Sequence, residues 1–314
     1  MLDLAIVIVN YNTRDHLRNC LESLRQTVGE MHQQVIVVDN SSSDGSTAMV
    51  HSEHPWIHLL IEAEHNGGYA FANNLGLKAI GYGADDSAAL PHVRPKALPR
   101  YVLLLNADTV VPKGALSNMV AFMDANGDVG VAGPKLVRED GSLDKACRRS
   151  FPTPQISFYR LTGLGRVFPK SRRFGRYNLD YLDVDAQADV DSVVGAFMLI
   201  RSVALEQAGL LDEAFFMYGE DLDLCYRIKQ HGWRVVYNPE VTVLHVKGAA
   251  SRKHSRRAIA AFYDSMRIFH NKHYRSRSFF LVNWSIDLGV AMLRKWALLR
   301  DRLRPAQDKR VASA

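Results

Sequence analysis

Six consecutive apolar residues, Leu4-Ala5-Ile6-Val7-Ile8-Val9, stand almost at the start of the chain. Arg14–Gln26 follows, with Leu17, Leu21 and Leu24 at helical spacing, and then a β-branched run, Val35-Ile36-Val37-Val38. Ile57–Ile61 and Tyr101–Leu105 read as a third and fourth strand, with Gly68–Ile80 as a helix between them. Runs that are apolar at every position are buried on both faces, and strands joined through helices run parallel. The order predicts an α/β fold: a Rossmann-like, mostly parallel sheet flanked by helices. Ligands of such sheets bind beyond the carboxyl ends of the strands. Asn10-Tyr11-Asn12, Asp39, Asn66-Gly67-Gly68 and Asn106-Ala107-Asp108 all fall at those ends.

No basic residue precedes the first apolar run and no small-residue cleavage site follows it, so it reads as a strand and not as a signal peptide. With 47% apolar and 23% charged residues over 314 positions, disordered, collagen-like and coiled-coil classes are excluded. Cys20, Cys147 and Cys225 are odd in number and far apart. That spacing argues against a disulfide framework or a structural zinc site, and for the reduced thiols of a cytoplasmic protein.

Residues 82–99, with three prolines, read as a surface insertion. Residues 141–190 are weakly periodic and read as an acceptor-facing loop region, because long irregular stretches in compact domains are often functional. Arg148 and Arg149 within it suggest a phosphate clamp. From Ser192 regularity returns: an apolar Val193–Ile200 run, a short helix, and Glu220–Gln230 as a helix ended by Gly232. Trp233–Tyr237 and Val241–Leu244 read as two short strands leading to His245.

Neither GxxxxGK[ST] nor GxGxxG is present, so a bound nucleotide would be held by side chains at strand ends. Asp39 suits a pyrimidine N–H or a ribose hydroxyl, and Tyr11 suits stacking on a base, although ordinary strand-end turns use the same residue types. Asp108 can offer a carboxylate oxygen to a hard cation that neutralises a diphosphate. Asn106 is neutral and suits a sugar hydroxyl or a water on that ion. Glu220-Asp221-Leu222-Asp223 opens a helix, where the macrodipole favours acids, but three carboxylates in four positions exceed what capping needs. One of them can take a proton from a hydroxyl nucleophile. His245 is either a satisfied structural residue or, if it meets Asp108, an imidazole ligand that favours Mn²⁺ over Mg²⁺.

Together the segments IVIVNYN (6–12), VIVVDNSSSDGS (35–46), NGGYAFANNLGL (66–77), LLLNAD (103–108), VGAFMLIRSVAL (194–205), GLLDEAFFMYGEDLDLCYR (209–227) and GWRVVYNPEVTVLHVKG (232–248) resemble glycosyltransferase family 2. These are inverting nucleotide-sugar transferases of GT-A fold, and the likeness is to the rhamnosyltransferase-like branch. The resemblance implies one GT-A domain, with a nucleotide-sugar-binding half over 1–110 and an acceptor-binding, catalytic half over 111–250. It implies that Val9, Tyr11 and Asp39 hold the nucleoside and that Asn66, Gly68 and Asn74 line the nucleotide pocket. Asn106 and Asp108 fall on the family's D-x-D motif, with asparagine in place of the first aspartate. Asp108 and His245 would bind Mn²⁺ or Mg²⁺. Asp221 would be the general base of a single inverting displacement. Asp223 is the second choice, about 200° further round the helix. The implied donor is dTDP-L-rhamnose, or else a UDP-hexose. The implied acceptor is a hydroxyl of a lipid-linked or polysaccharide glycan in cell-surface synthesis. A degenerate relative that binds nucleotide or membrane without turnover is the alternative that Asn106 leaves open.

Residues 251–314 carry 15 Lys/Arg against 4 Asp/Glu, while the rest carries 24 against 29. Ile259, Phe262, Tyr263, Met266 and Phe269 recur at helical spacing within this basic extension. The 279–299 stretch is apolar but broken by Asn283, Asp287, Arg294 and Lys295, short of the roughly 20 apolar residues of a spanning helix. With Trp284 and Trp296 as headgroup anchors, it predicts an interfacial helix on an anionic membrane, peripheral on the inner face. Packing on the body, or a homodimer through these helices, is the other use of the same face. Nucleic acid is not expected, because no recognition motif accompanies the charge.

Overall fold

The computed structural model of the chain describes residues 2–83, 97–246 and 255–303. Most of the predicted insertion (residues 84–96) and Arg252 and Lys253 of the basic extension lie outside the described residues. The first half alternates as predicted: β1 (Leu4–Asn10), α1 (Arg14–Arg25), β2 (Gln33–Asp39), α2 (Ser46–Glu53), β3 (Leu59–Glu62), α3 (Tyr69–Ile80) and β4 (Tyr101–Asn106). Ile6 sits between Val35 of β2 and Leu103 of β4 in a parallel register. Leu4 to Ile8 have no exposed surface, which is why the run carries no polar alternation. α1 covers one face with Leu17, Cys20, Leu21 and Leu24, the stripe that its spacing predicts.

The second half contributes β5 (Thr109–Val110), α4 (Ala115–Ala125), β6 (Val129–Val137), α5 (Pro154–Leu161), α6 (Leu164–Val167), β7 (Ala188–Asp189), β8 (Phe197–Arg201), α7 (Ser202–Ala208), α8 (Glu220–Gln230) and β9 (Arg234–His245). Among the described residues these form one nine-stranded sheet, ordered β3-β2-β1-β4-β8-β6-β9-β5, with β7 on β9. The parallel arrangement describes β3-β2-β1-β4; beyond β4 the sheet is mixed, because β8 runs antiparallel to both β4 and β6.

One sequence expectation changes, and one strand was not expected. The two short strands before His245 are one strand, β9, whose register against β6 shifts between Asn238 and Thr242, around Pro239. A proline and a bulge interrupt the apolar pattern without ending the strand. β6 itself escaped the sequence reading because Gly130, Gly133 and Pro134 break up its apolar run. Those glycines answer to packing: a Cβ at Gly130 would stand 2.6 Å from Cβ of Trp233, and one at Gly133 2.8 Å from Cβ of Val193.

β5 pairs antiparallel with the end of β9, setting Thr109 opposite His245. Val246 N–H then donates to Asp108 O at 2.8 Å. The end of β9 thereby reaches the edge on which β1, β2 and β4 present their carboxyl ends.

α9 (Ser255–His273) and α10 (Phe280–Leu303) close the described chain. α9 is anchored to α8 by Asp223, which accepts from His273 Nε2 at 2.7 Å, Lys272 Nζ at 2.9 Å and Arg227 Nε at 2.8 Å. Burial alone would raise the Asp223 carboxyl, but the His273 bond and the Arg227 and Lys272 charges bring it down to about 2. Phe269 packs beside Phe215 and Leu222. α10 lies on α9 through Asn283–His270 (2.7 Å) and Arg294–Asp264 (3.4 Å). Among the described residues no helix is long and apolar enough to cross a membrane.

Candidate active site

One cavity of about 1160 Å³ opens along the carboxyl edge of the sheet and extends beneath α5, α9 and α10. It exceeds the roughly 300–1,000 Å³ of an ordinary small-molecule pocket, leaving room for two substrates. Of the predicted residues, Val9, Tyr11, Asn66, Gly68, Asn106, Asp108, Asp221 and His245 line it. Asp39 and Asn74 are buried and outside its lining. Asp39 accepts from Asn10 Nδ2 and from Ser42 N, both at 2.7 Å, and so fixes the turn after β2. Asn74 donates to Leu211 O (2.9 Å) and Glu213 Oε1 (2.8 Å) and accepts from Leu211 N, pinning α3 to the loop before α8.

Asn40, which the sequence analysis does not single out, organises the turn Asn66-Gly67-Gly68. Its Nδ2 donates to Asn66 Oδ1 (3.0 Å) and Gly68 O (3.1 Å), while its Oδ1 accepts from Gly67 N. Gly68 has φ +98°, and a Cβ there would stand 2.3 Å from Phe216 O. Only glycine permits that conformation and that approach. The Tyr69 N–H then reaches Phe216 O at 2.7 Å, and the Tyr69 hydroxyl donates to Gly195 O at 2.7 Å.

Asp108 and His245 come together as predicted, with Oδ1 and Nε2 3.2 Å apart. The other imidazole nitrogen, Nδ1, faces Asp144 Oδ2 at 2.9 Å, and Asp144 has no exposed surface. Burial alone would lower the imidazole, but hydrogen bonds to Asp108 and Asp144 raise it to about 9. Asp144 therefore fixes the ring with Nε2 turned to Asp108. Among the described residues no group of three or more His, Cys, Asp or Glu converges to hold a metal unaided. Once Nε2 gives up its proton, as metal binding requires of an imidazole, one carboxylate oxygen plus that nitrogen suits a divalent ion that takes its other ligands from water and a substrate diphosphate.

At the start of α8, Asp221 is held on every side. Its Oδ2 accepts from Arg149 Nη2 (2.7 Å) and Gly195 N (3.2 Å), and its Oδ1 from Leu222 N (2.7 Å). Arg149 also donates to Val193 O at 2.9 Å, and its guanidinium is held above its ordinary value by Asp221 against the opposing pull of burial. Glu220 lines the same cavity with a buried Oε2 that has no hydrogen-bond partner among the described residues. Burial, then the neighbouring Asp221, push its carboxyl up to about 8. Asp223 has no exposed surface and serves the ion-pair cluster on α9, which removes it as an alternative base.

The clamp expected of Arg148 and Arg149 does not form. Arg148 is buried outside the cavity, donating to Asp183 O (2.5 Å) and Leu182 O (3.1 Å), and Arg149 is committed to Asp221. The cavity's cations without a carboxylate partner among the described residues are instead Arg160 and Arg257. They stack on Tyr177 (3.8 Å) and Phe216 (3.9 Å) respectively.

The profile of "Glycosyltransferase like family 2" matches residues 3–263. The chain belongs to that family. An N-acetylglucosaminyl-diphospho-decaprenol L-rhamnosyltransferase of Mycobacterium tuberculosis is 28% identical over 312 residues, covering 98% of this chain and 96% of the relative. The rhamnosyltransferase WbbL of Escherichia coli K12 is 26% identical over 250 residues, 76% of this chain and 82% of its own. The family 2 chain also shares its fold with the mannosyltransferase PcManGT of Pyrobaculum calidifontis, solved with GDP-Man and Mn²⁺. That likeness has a TM-score of 0.51 at 17% identity and covers 95% of this chain and 72% of the other. The GT-A fold expected from the sequence is thus the fold observed.

Proposed function

We propose that this family 2 glycosyltransferase moves a sugar from a nucleoside-diphosphate donor to a hydroxyl of a lipid-linked or polysaccharide acceptor, with inversion. The leading donor is dTDP-L-rhamnose and the second a UDP-hexose, as the names of the M. tuberculosis and E. coli relatives favour. The observation that carries the reading is that Asp108, His245, Asp221, Asn66 and Gly68 open on one cavity. Tyr11 and Asn66 would hold the nucleoside above the end of β1, with Asn106 towards the sugar; Val9 and Gly68 give that end its floor, and Asp39 and Asn74 support it from behind. Asp108 and His245 would hold Mn²⁺ or Mg²⁺, which when bound neutralises charge on the departing diphosphate. Asp221 would take the acceptor proton, its carboxylate oriented by Arg149 and by the Gly195 and Leu222 amides. Residues 1–110 would then serve the donor, and 111–250 the acceptor and the chemistry.

A second base is favoured by one observation: Glu220 Oε2 is buried in the same cavity wall without a partner among the described residues. α10 would rest on an anionic membrane surface, placing the enzyme peripherally on the cytoplasmic face. Its exposed Trp284 and Trp296 support that reading over a helix packed wholly on the body.

A thermal-shift panel of nucleoside diphosphates and nucleotide sugars, with and without Mn²⁺, tests the donor assignment. A metal-dependent rise with dTDP-L-rhamnose is expected. Absence of any metal-dependent shift across the panel overturns the assigned site. Proton NMR of the product reports the anomeric outcome, and retention would remove the single displacement.

A further inference from the structure

Gly289 stands in the middle of the 24-residue helix α10, where glycine costs about 1 kcal/mol relative to alanine. Its usual excuses are missing. It has no left-handed φ, and a Cβ on it would meet nothing within 4 Å among the described residues. It lines the cavity, and so do Val282, Ile286 and Leu293, the same stripe of α10 at three- and four-residue spacing. Phe158 and Leu161 of α5 and Met266 of α9 also line this branch. One residue further round α10, Leu281, Trp284, Leu288, Met292 and Leu299 are exposed. Apolar side chains therefore stand both on the outside of α10 and along the stripe that lines the cavity, with Ser285 between them. Arg160, without a carboxylate partner among the described residues, lies at the inner end of the branch on Tyr177 and Phe262.

We infer that this branch is the seat of the first isoprene units of a polyprenyl-diphosphate acceptor. Gly289 leaves the width that the chain needs, and Arg160 receives the diphosphate. The inference rests on the proposed lipid-linked acceptor and assigns it a path. A wet polysaccharide acceptor would gain nothing from an apolar wall, whereas a diphosphate on a prenyl chain matches a cation at the end of one.

The test compares two acceptors, GlcNAc-diphospho-decaprenol in mixed micelles and a methyl-capped GlcNAc diphosphate, with dTDP-L-rhamnose as donor. Gly289→Leu adds a strong helix former in open space, so its melting temperature should equal or exceed that of the native protein. Its KM for the decaprenyl acceptor should rise about tenfold or more, with under twofold change for the methyl-capped one. Gly289→Ala gains helix propensity but narrows the branch by one methyl, so its KM for the decaprenyl acceptor should rise to a value between those of the native protein and Gly289→Leu. Equal KM values of the native enzyme for the two acceptors overturn the path, as does an equal loss on both in Gly289→Leu. If the native enzyme turns over neither acceptor, the lipid-linked reading fails, and the path with it.

Discussion

Arg149 and Asp221 form a buried ion pair whose disruption can be worked through. Arg149→Met keeps the length and apolar stem but removes the cation facing Asp221 Oδ2 at 2.7 Å, together with the bond to Val193 O. Asp221 then keeps only the Gly195 and Leu222 amides. Removing one partner of a buried pair costs about 3–5 kcal/mol, because the remaining charge is left in a poorly solvating site. For a chain of this size each kcal/mol lowers the melting temperature by about 2–4 °C, so a fall on the order of 10 °C is expected. Asp221→Asn strands the cation instead and should cost a similar amount. The double variant removes both charges, so its loss should fall short of the sum of the singles by about 2 kcal/mol or more. Chemical denaturation of the four proteins at pH 7 gives the cycle. Losses that add to within about 0.5 kcal/mol would show that the two groups are not coupled, and would refute this picture of how the acid is held.

Asp223→Asn should loosen α9 from α8 and destabilise the protein by roughly 2–4 kcal/mol at pH 7. Because the folded carboxyl lies at about 2, below its unfolded value, its contribution is present above about pH 4 and is lost as pH falls towards 2. The native and variant proteins should therefore converge in stability at acid pH, and a constant gap contradicts the assignment. Gly68→Ala must adopt φ +98° with its Cβ on Phe216 O; a loss of about 3 kcal/mol and weaker nucleotide binding are expected in denaturation and titration. An unchanged nucleotide affinity counts against the turn's place in the donor site. Glu220 has the opposite sign to Asp223: its folded value of about 8 lies above the unfolded one, so native stability falls as pH rises from about 4.5 to 8. Glu220→Gln removes that slope, and its melting temperature should gain on the native protein between pH 5 and pH 8. If transfer survives in it, Glu220 is not the base.

The parts of the molecule legible from sequence are those where one physical demand dominates. β1, β2 and β4 are buried on both faces, so their apolar runs announce them, and α8 is bounded by its acids and by Gly232. β6 answers to close packing against Trp233 and Val193, and the glycines that meet that demand erase the strand pattern. At the site, Asp108 and His245 are readable because one lies in the turn directly after an apolar strand and the other ends one. Asp144 and Arg149, which orient His245 and Asp221, come from an irregular stretch, where a lone acid or base looks like solvated surface. Their roles depend on contacts 101 and 72 residues away, which no local spacing encodes. Asp39 and Asn74 show the converse: side chains of the right type at the right strand or helix end, spent on holding the loops around them.

Asp221→Asn assayed for sugar transfer and, in parallel, for calorimetric binding of the donor decides most about the chemistry. The account predicts that kcat falls by about 10²-fold or more while donor affinity stays within about twofold, since the amide keeps the shape but cannot take up a proton. Turnover at the native rate would contradict it.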